Sequence, residues 1–489
     1  MRITQQPSVK HCVRRKEIAN YMNEPLKHKL FSVYGQILNR KALDEAWKHV
    51  KANKGAEGVD RVTIQDFDKN LDENLDALLK SLKEKTYKPS PVRRVYIPKK
   101  NGKMRPLGVP TIKDRIVQQA LTDKLSPFFE ANVFHDNSCG FRTGRDAELA
   151  VKKIISRLEY GYFYVYDFDI KGFFDNIPHK KLLKVLNKYI SDGTVLDLIW
   201  KSLKAGYMHD NVRYETPVGS IQGAVISPLL ANIYLNELDW ELEKAGIQFV
   251  RYADDSIAMC KSPEELEKAK EVVHRVLDEL GLELAEDKTD DIDFHNKDFD
   301  FLGFTFSHLD KSKKGKVFYK VSPSEKSIKK FKEDVKGLTC KTHSHSFEQW
   351  TAILNPVLRG KFNYFMVIQR ACSAVAAVLK ERGRPFHAIS YKGYAGLDGY
   401  VRQRLRVNFA NRGKRHARFK NGLDFKAKYK YSNAFFFKEM GLVSGQFMHW
   451  RLYHPSMTVD EFLEKIKEKK KRSKSFESYN QFYILEYAK

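Results

Sequence analysis

Two adjacent aspartates, Asp254 and Asp255, sit between strand-like apolar runs in "FVRYADDSIAMC" (249–260). Side-by-side carboxylates repel each other and are costly to desolvate. A second acidic pair, Asp167 and Asp169, closes the β-branched and aromatic run "YFYVYDFDI" (162–170). Strand alternation puts those two on one face, and Asp169, at the strand's end, is the better placed to reach a hairpin tip. If the runs lie side by side, Asp169 and Asp254 can hold two divalent ions about 3.5–4 Å apart, the geometry that clamps attacking and leaving oxygens in phosphoryl transfer. Hard oxygen donors select Mg²⁺ or Mn²⁺ over zinc. Taken alone, an Asp-Asp pair is most often an exposed turn, and a lone Asp169 a strand-end cap. The surrounding elements have to decide.

Those elements belong to a chain of 489 residues, long enough for two to four domains, with 42% hydrophobic residues to build cores. Its formal net charge is +26. Such an excess repels itself in a compact state and points to a polyanionic partner, nucleic acid ahead of an acidic membrane surface. No apolar run approaches the roughly eighteen residues of a spanning helix, and "MRITQQPSVKHCVRRKE" has no signal-peptide core. Five cysteines stand far apart without a C-x-x-C pair, which argues against a zinc module or a disulfide framework. The expectation is a cytoplasmic protein, without membrane association.

Residues 24–90 read mostly as helices, with "EAWKHVKA" and "LDENLDALLKSLKE" apolar at spacings of three and four. "PVRRVYIPKKNGKMRPLGVPT" alternates and turns at Asn101-Gly102, a hairpin signal. "KDRIVQQALTDKLSPFFE" predicts an amphipathic helix ending near Pro127, and Ser227-Pro228 opens a long helix. "DFDFLGFTFSH" predicts a strand pair, and beyond about 315 long helices dominate. From 402 to 431 there are eleven Lys/Arg against one acid, interleaved with Phe and Tyr.

"RYADD", "DIKGFFDNI", "GSIQGAVISPLLANIYL" and "FDFLGF" together resemble a reverse transcriptase, and more narrowly the proteins encoded by bacterial group II introns. "NKGAEGVD", "YKPSPVRRVYIPKKNGKMRPLGVPTIKDRIVQQAL" and "GFRTGRDAELAV" match that family's fingers, and "LNPVLRGKFNYF" with "LDGYVRQRLR" its thumb or maturase segment. The likeness covers about residues 35–410. It implies an α+β fold: a right-hand polymerase, fingers and palm with an antiparallel sheet, followed by an α-helical thumb/maturase domain and a basic helical C-terminal region. The implied domains are an N-terminal extension (1–34), fingers and palm (35–310), thumb/maturase (315–410) and a basic nucleic-acid-binding region (411–489).

By the same resemblance Asp169, Asp254 and Asp255 are the catalytic acids, and Asp169, Ile170 and Asp254 the metal ligands. Two Mg²⁺ ions (or Mn²⁺) would lower the pKa of a primer 3′-hydroxyl and stabilise departing pyrophosphate. Phe174, five residues past Asp169, matches the bulky side chain under the incoming sugar that rejects a 2′-hydroxyl; its alternative is core packing. Lys99 and Arg105 flank the Asn101-Gly102 turn within reach of a triphosphate. Gln222 lies in a turn near the nucleotide, where Gly223 permits close backbone approach. Lys288, in "AEDKTD", matches a lysine that protonates pyrophosphate, or else is a surface lysine. Asp175 reads as a polar cap before "PHKKLLKVL". Arg142 and Arg145 are expected at the template or at the fingers–palm junction, although Thr143, Asp146 and Ile221 depart from the commoner family residues, which puts template fit in question.

Arg359, Lys361, Arg402, Arg404 and Arg406 are the expected contacts of the basic half with a template–primer duplex, whose binding should weaken steeply with salt. The aromatics at 409–437 either stack on RNA bases or form the core of a small helical domain, the second being favoured. No His-Asn-His nuclease pattern follows 410, so mobility would use other primers, such as nascent strands at replication forks. The implied function is RNA-directed DNA polymerase and maturase, with group II intron RNA or another RNA template, DNA primer or target and dNTPs as partners, located at the bacterial nucleoid. A domesticated enzyme of DNA repair or phage defence, and a splicing cofactor with a vestigial polymerase site, are the alternatives. An RNA-dependent RNA polymerase shares the palm, but Phe174 and Ala253 favour DNA synthesis.

Overall fold

A computed structural model describes residues 29–98, 102, 104–310, 317–340, 343, 345–379, 386–388, 391–410 and 431–473. The chain divides into two compact units between Asp293 and Phe294.

The first unit opens with helices α1 (Val33–Ile37), α2 (Arg40–Ala52), α3 (Ile64–Lys69) and α4 (Leu71–Lys83). Asn39 caps α2, and Thr63 with Asp66 forms a reciprocal capping box on α3, so orphan N–H groups are satisfied locally. Strands β1 (Val92–Pro98) and β2 (Met104–Val109) pair antiparallel as expected, Pro98 opposite Met104, while Asn101 of the expected turn lies outside the described residues. Helix α5 (Ile112–Asn132) runs past Pro127 instead of ending there. Leu125 and Phe129, on either side of the proline, are fully buried in the core. Their burial outweighs the one lost N–H.

Helix α6 (Ala147–Glu159) leads into β3 (Tyr164–Phe168), followed by α7 (Phe173–Asn176), α8 (His179–Tyr189) and α9 (Gly193–Lys204). Asp175 lies within α7, and α8 has no side-chain cap, which corrects the capping role expected of Asp175. A short hairpin, β4 (Tyr207–His209) and β5 (Val212–Tyr214), extends the first sheet to the order β2-β1-β4-β5. Helix α10 (Ser227–Lys244), with Pro228 in its first turn as expected, precedes the hairpin β6 (Gln248–Tyr252) and β7 (Asp255–Cys260). Helix α11 (Pro263–Leu280) and strand β8 (Asp290–Asp293) complete a second sheet of order β6-β7-β3-β8. Tyr166, Phe168, Phe249 and Ala258 on one face of this sheet join the main core with apolar residues of α10 and α11.

In the second unit β9 (Phe299–Phe301), β10 (Phe304–Asp310), β11 (Val317–Pro323) and β12 (Phe386–Ala388) form a sheet of order β12-β11-β10-β9. Its helices are α12 (Glu325–Leu338), α13 (Phe347–Phe365), α14 (Val367–Leu379), α15 (Tyr391–Ala410), α16 (Gly445–Tyr453) and α17 (Val459–Ser473). Asp398 of α15 accepts from Ser444 Oγ and from the N–H groups of Gly445 and Gln446, tying the start of α16 to α15.

Three domain boundaries shift. Residues 29–34 are not an extension: Leu30 exchanges backbone hydrogen bonds with Tyr189 and Ser191, and Tyr34 N–H donates to Asp192. The first unit ends at Asp293 rather than 310, because β9 and β10 pair with each other and with β11. Residues 315–410 and the described part of 411–489 share one unit, joined through Asp398 and Asn355, whose side chain bonds Gly441 and Val443.

Candidate active site

The sheet ladder decides whether the acids meet. Tyr164–Phe168 pairs antiparallel with Ser256–Cys260, ending on Phe168 opposite Ser256. Asp169 follows directly on that last pair and lies near enough to Asp254 and Asp255 to act on both carboxyls. Tyr252 pairs with Asp255, so Ala253 and Asp254 form a two-residue turn at the end of the same sheet. Ala253 has φ +62°, a left-handed conformation that costs a non-glycine residue about 1 kcal/mol.

The electrostatics carry the mark of the crowding. Burial above all, and to a lesser degree the neighbouring Asp169 carboxylate, pushes the Asp254 carboxyl above its ordinary value, against the opposing pull of its own backbone N–H and, more weakly, of Arg105 and Lys288. Asp255 is open to solvent on one side, yet partial desolvation, then Asp254, then Asp169 push it up to about 6. Asp254 and Asp255 are thus each raised by burial and by a neighbouring carboxylate, a cost that a bound cation relieves. Lys288 forms an ion pair with Asp169, which raises the lysine's own pKa. Ile170 bridges Leu284 through hydrogen bonds made by its neighbours, Asp169 O with Ala285 N and Lys171 N with Glu283 O. Its own carbonyl therefore faces away from that strand.

The loop that carries Gln222 is stitched to its surroundings by main-chain bonds. Gly108 N–H of β2 donates to Gln222 O at 2.8 Å, and Ser220 N–H to Phe174 O at 2.7 Å. Gln118 of α5, which sequence patterning does not single out, accepts from Val225 N–H at 2.9 Å. A Cβ on Gly223 (φ +109°) would lie 2.7 Å from Gly108 O, so this position needs glycine. Phe174 is partly buried against the core and meets Phe141 edge-on at 6.5 Å. Arg105 projects from β2 into solvent, near enough to Asp254 to act on its carboxyl. Lys99 lies outside the described residues.

The basic side chains divide. Arg142 is buried and corrected from template contact to framework: it pairs with Glu130 at 2.8 Å and donates to His135 O and Ser138 O. Arg145 is held by Asp136 at 2.8 Å but keeps partial exposure. In the second unit Arg402 is buried beside Asp398, its guanidinium over the Phe437 ring at 5.1 Å. Arg404 donates to Thr339 O and Oγ1, and Arg406 to Tyr431 O. These three hold the helical unit together and are corrected from duplex contacts to internal ties. Arg359 is exposed, and Lys361 is half-buried, 3.8 Å from Asp334. Phe409, Phe436 and Phe437 are buried, so these aromatics form core rather than a stacking surface.

Oxygen donors gathered at the end of an antiparallel sheet, faced by a lysine and an arginine, define a class: metal-dependent phosphoryl-transfer sites. Residues 97–306 match the reverse transcriptase (RNA-dependent DNA polymerase) family. The chain is 39% identical over 259 residues to the group II intron-encoded protein LtrA of Lactococcus lactis subsp. cremoris, covering 52% of this chain and 42% of LtrA. It is 35% identical over 302 residues to protein YkfC of Escherichia coli (strain K12), covering 53% of this chain and 79% of YkfC. A partial Cas6-RT-Cas1–Cas2 complex is similar at 23% identity and a TM-score of 0.33, over 52% of this chain and 42% of that one, too slight to carry an argument. The chain belongs to the reverse transcriptase family, in its group II intron-encoded branch. It spans less than half the length of LtrA.

Membership implies use of a divalent metal. The residues present fit one: the donors are hard oxygens, and Asp254 and Asp255 are raised by burial and by their neighbours. Among the described residues no group of three His, Cys, Asp or Glu side chains stands ready to hold an ion. No described helix is long and apolar enough to cross a membrane.

Proposed function

We propose that this chain is an RNA-directed DNA polymerase that copies an RNA template into cDNA, and a maturase that binds its group II intron RNA to promote splicing and retrohoming. The observation that carries this reading is the register that ends β3 on Phe168 opposite Ser256, next to Asp169 and Asp255, with Asp254 in the adjoining turn. Identity to a group II intron-encoded protein favours it over a domesticated or polymerase-inactive relative.

Asp169, Asp254 and the Ile170 carbonyl are the metal ligands in this reading, and Asp255 shapes the turn. Held there, Mg²⁺ (or Mn²⁺) would supply Lewis acidity toward the primer 3′-hydroxyl and the leaving pyrophosphate. Arg105, with Lys99 across the same turn, reaches for the triphosphate. Phe174, anchored through its carbonyl by Ser220, stands where a 2′-hydroxyl would enter. Gln222, fixed to β2 by its main chain, borders the nucleotide. Lys288, already paired with Asp169, offers a proton to pyrophosphate. Arg145, Arg359 and Lys361 are the remaining contacts for template and intron RNA.

The test is Asp254→Ala assayed for dNTP incorporation on poly(rA)/oligo(dT) with Mg²⁺. Incorporation is expected to vanish while RNA binding survives. Full incorporation by that variant would refute the assignment.

A further inference from the structure

The turn that carries Asp254 is held from beneath by a buried charge. Arg251, three residues before Asp254, is 1% exposed, as are Asp239 and Asn232 of α10. Its guanidinium donates from Nε to Asp239 Oδ1 at 2.7 Å and from Nη2 to Asp239 Oδ2. Nη1 donates to Asn232 Oδ1 at 2.9 Å and to Ala253 O at 3.0 Å, inside the turn itself. Asn232 Nδ2 in turn donates to Gly140 O at 2.9 Å. The Arg251 main chain is laced to 137–139, its N–H to Asn137 O at 3.0 Å and its carbonyl to Cys139 N–H at 2.8 Å. Gly140 closes the cradle: a Cβ there would lie 2.3 Å from Ala253 N and 2.9 Å from Tyr252 C.

Arg251 thus grips three things at once: a long core helix, the 137–140 segment and the carbonyl of the left-handed Ala253. Arg251 pairs with Ser256, and Ser256 with Phe168, whose ring lies in the main core, so its side chain is on the face opposite Asp255 and Asp169. From there it touches no reacting group. Asp254 follows directly on Ala253, and a two-residue turn with a strained alanine is by itself a weak restraint on it. We infer that Arg251, locked by Asp239 and Asn232, is a positioning residue that sets the Ala253–Asp254 turn against Asp169 so that a divalent cation finds both carboxylates in place. This deepens the polymerase reading and rests on it.

A lysine at 251 keeps the charge but not the five-donor fork. Arg251→Lys is expected to speed hydrogen exchange selectively at amides 252–256. It should also weaken Mn²⁺ binding, read by electron paramagnetic resonance without turnover, by about tenfold, as loss of a ligand-orienting partner does. On an RNA template, kcat should fall by a similar factor, while KM for dNTP and primer–template affinity stay within about twofold. Asn232→Ala, which leaves the Arg251–Asp239 pair intact, should move the same readouts in the same direction by less, and it carries the test if the lysine variant does not fold. Lowered thermal stability with unchanged exchange at 252–256, unchanged Mn²⁺ affinity and unchanged kcat would overturn the inference and leave Arg251 a bond of the fold alone. The polymerase reading fails separately, through a wild-type chain that incorporates no dNTP, because the exchange measurement reads the clamp even there.

Discussion

The β6–β7 hairpin and helix α15 both carry closely spaced like charges, and they use them in opposite ways. At the hairpin, Asp254 and Asp255 sit at a sheet end, raised by burial and by neighbouring carboxylates, with their framework partner Arg251 on the far side of the strand. On α15, Arg402 is buried beside Asp398 and over the Phe437 ring, while the half-buried Arg404 and Arg406 spend donors on Thr339 and Tyr431. Positions two apart on a helix are about 200° apart, so three such arginines do not share one outer face. Residues two apart on a strand do share a face, which is why Asp167 and Asp169 can be read as a set and the arginines cannot. A charge run marks a binding surface only when the period of its element keeps the charges together.

The largest effect expected of this contrast is at the acids. Asp254→Ala should lower dNTP incorporation by about a thousandfold or more, measured with primer–template saturating. A loss that tracked falling stability instead would make the acids structural, like the arginines. Next comes Asp398→Ala, which strands the buried Arg402 and removes the acceptor at the start of α16. It should destabilise the second unit by about 3 kcal/mol in denaturant unfolding. Unchanged stability would mean that water reaches the pair.

Phe174→Ala probes the same sheet end from the sugar side. Discrimination against ribonucleotides should fall by about tenfold in kcat/KM ratios, since only steric exclusion is removed. An unchanged preference would assign Phe174 to packing, consistent with its contact to the core. The smallest and sharpest contrast lies within the basic half. Arg359→Ala should reduce the slope of log affinity for duplex against log salt by about 0.7–0.9, one phosphate contact. Arg404→Ala should leave that slope intact and cost about 1 kcal/mol of stability through its two bonds to Thr339.

Much of the site was legible because β-structure is periodic and its punctuation local. "YFYVYDFDI" and "FVRYADDSIAMC" announce paired strands, and Asn101-Gly102 and Ser227-Pro228 mark a turn and a helix start. What stayed hidden depended on partners remote in the chain. Pro127 reads as a helix end until Leu125 and Phe129 are seen in the core. Arg142 reads as a template contact until Glu130 folds against it. Arg251 looks like part of a motif, and its burial shows only once Asp239 and Asn232 of "SPLLANIYLNELDW" are seen against it.

Sequence alone determined the chemistry on offer: acids of oxygen-donor type at strand ends, an aromatic five residues on, and a positive surplus suited to a polyanion. Residue type, short-range period and net charge are properties a chain has before it folds. Tertiary structure alone decided which charges face a substrate and which face each other. An arginine's direction depends on the desolvation it meets and the acceptors it finds, and both are supplied by segments far away in the chain.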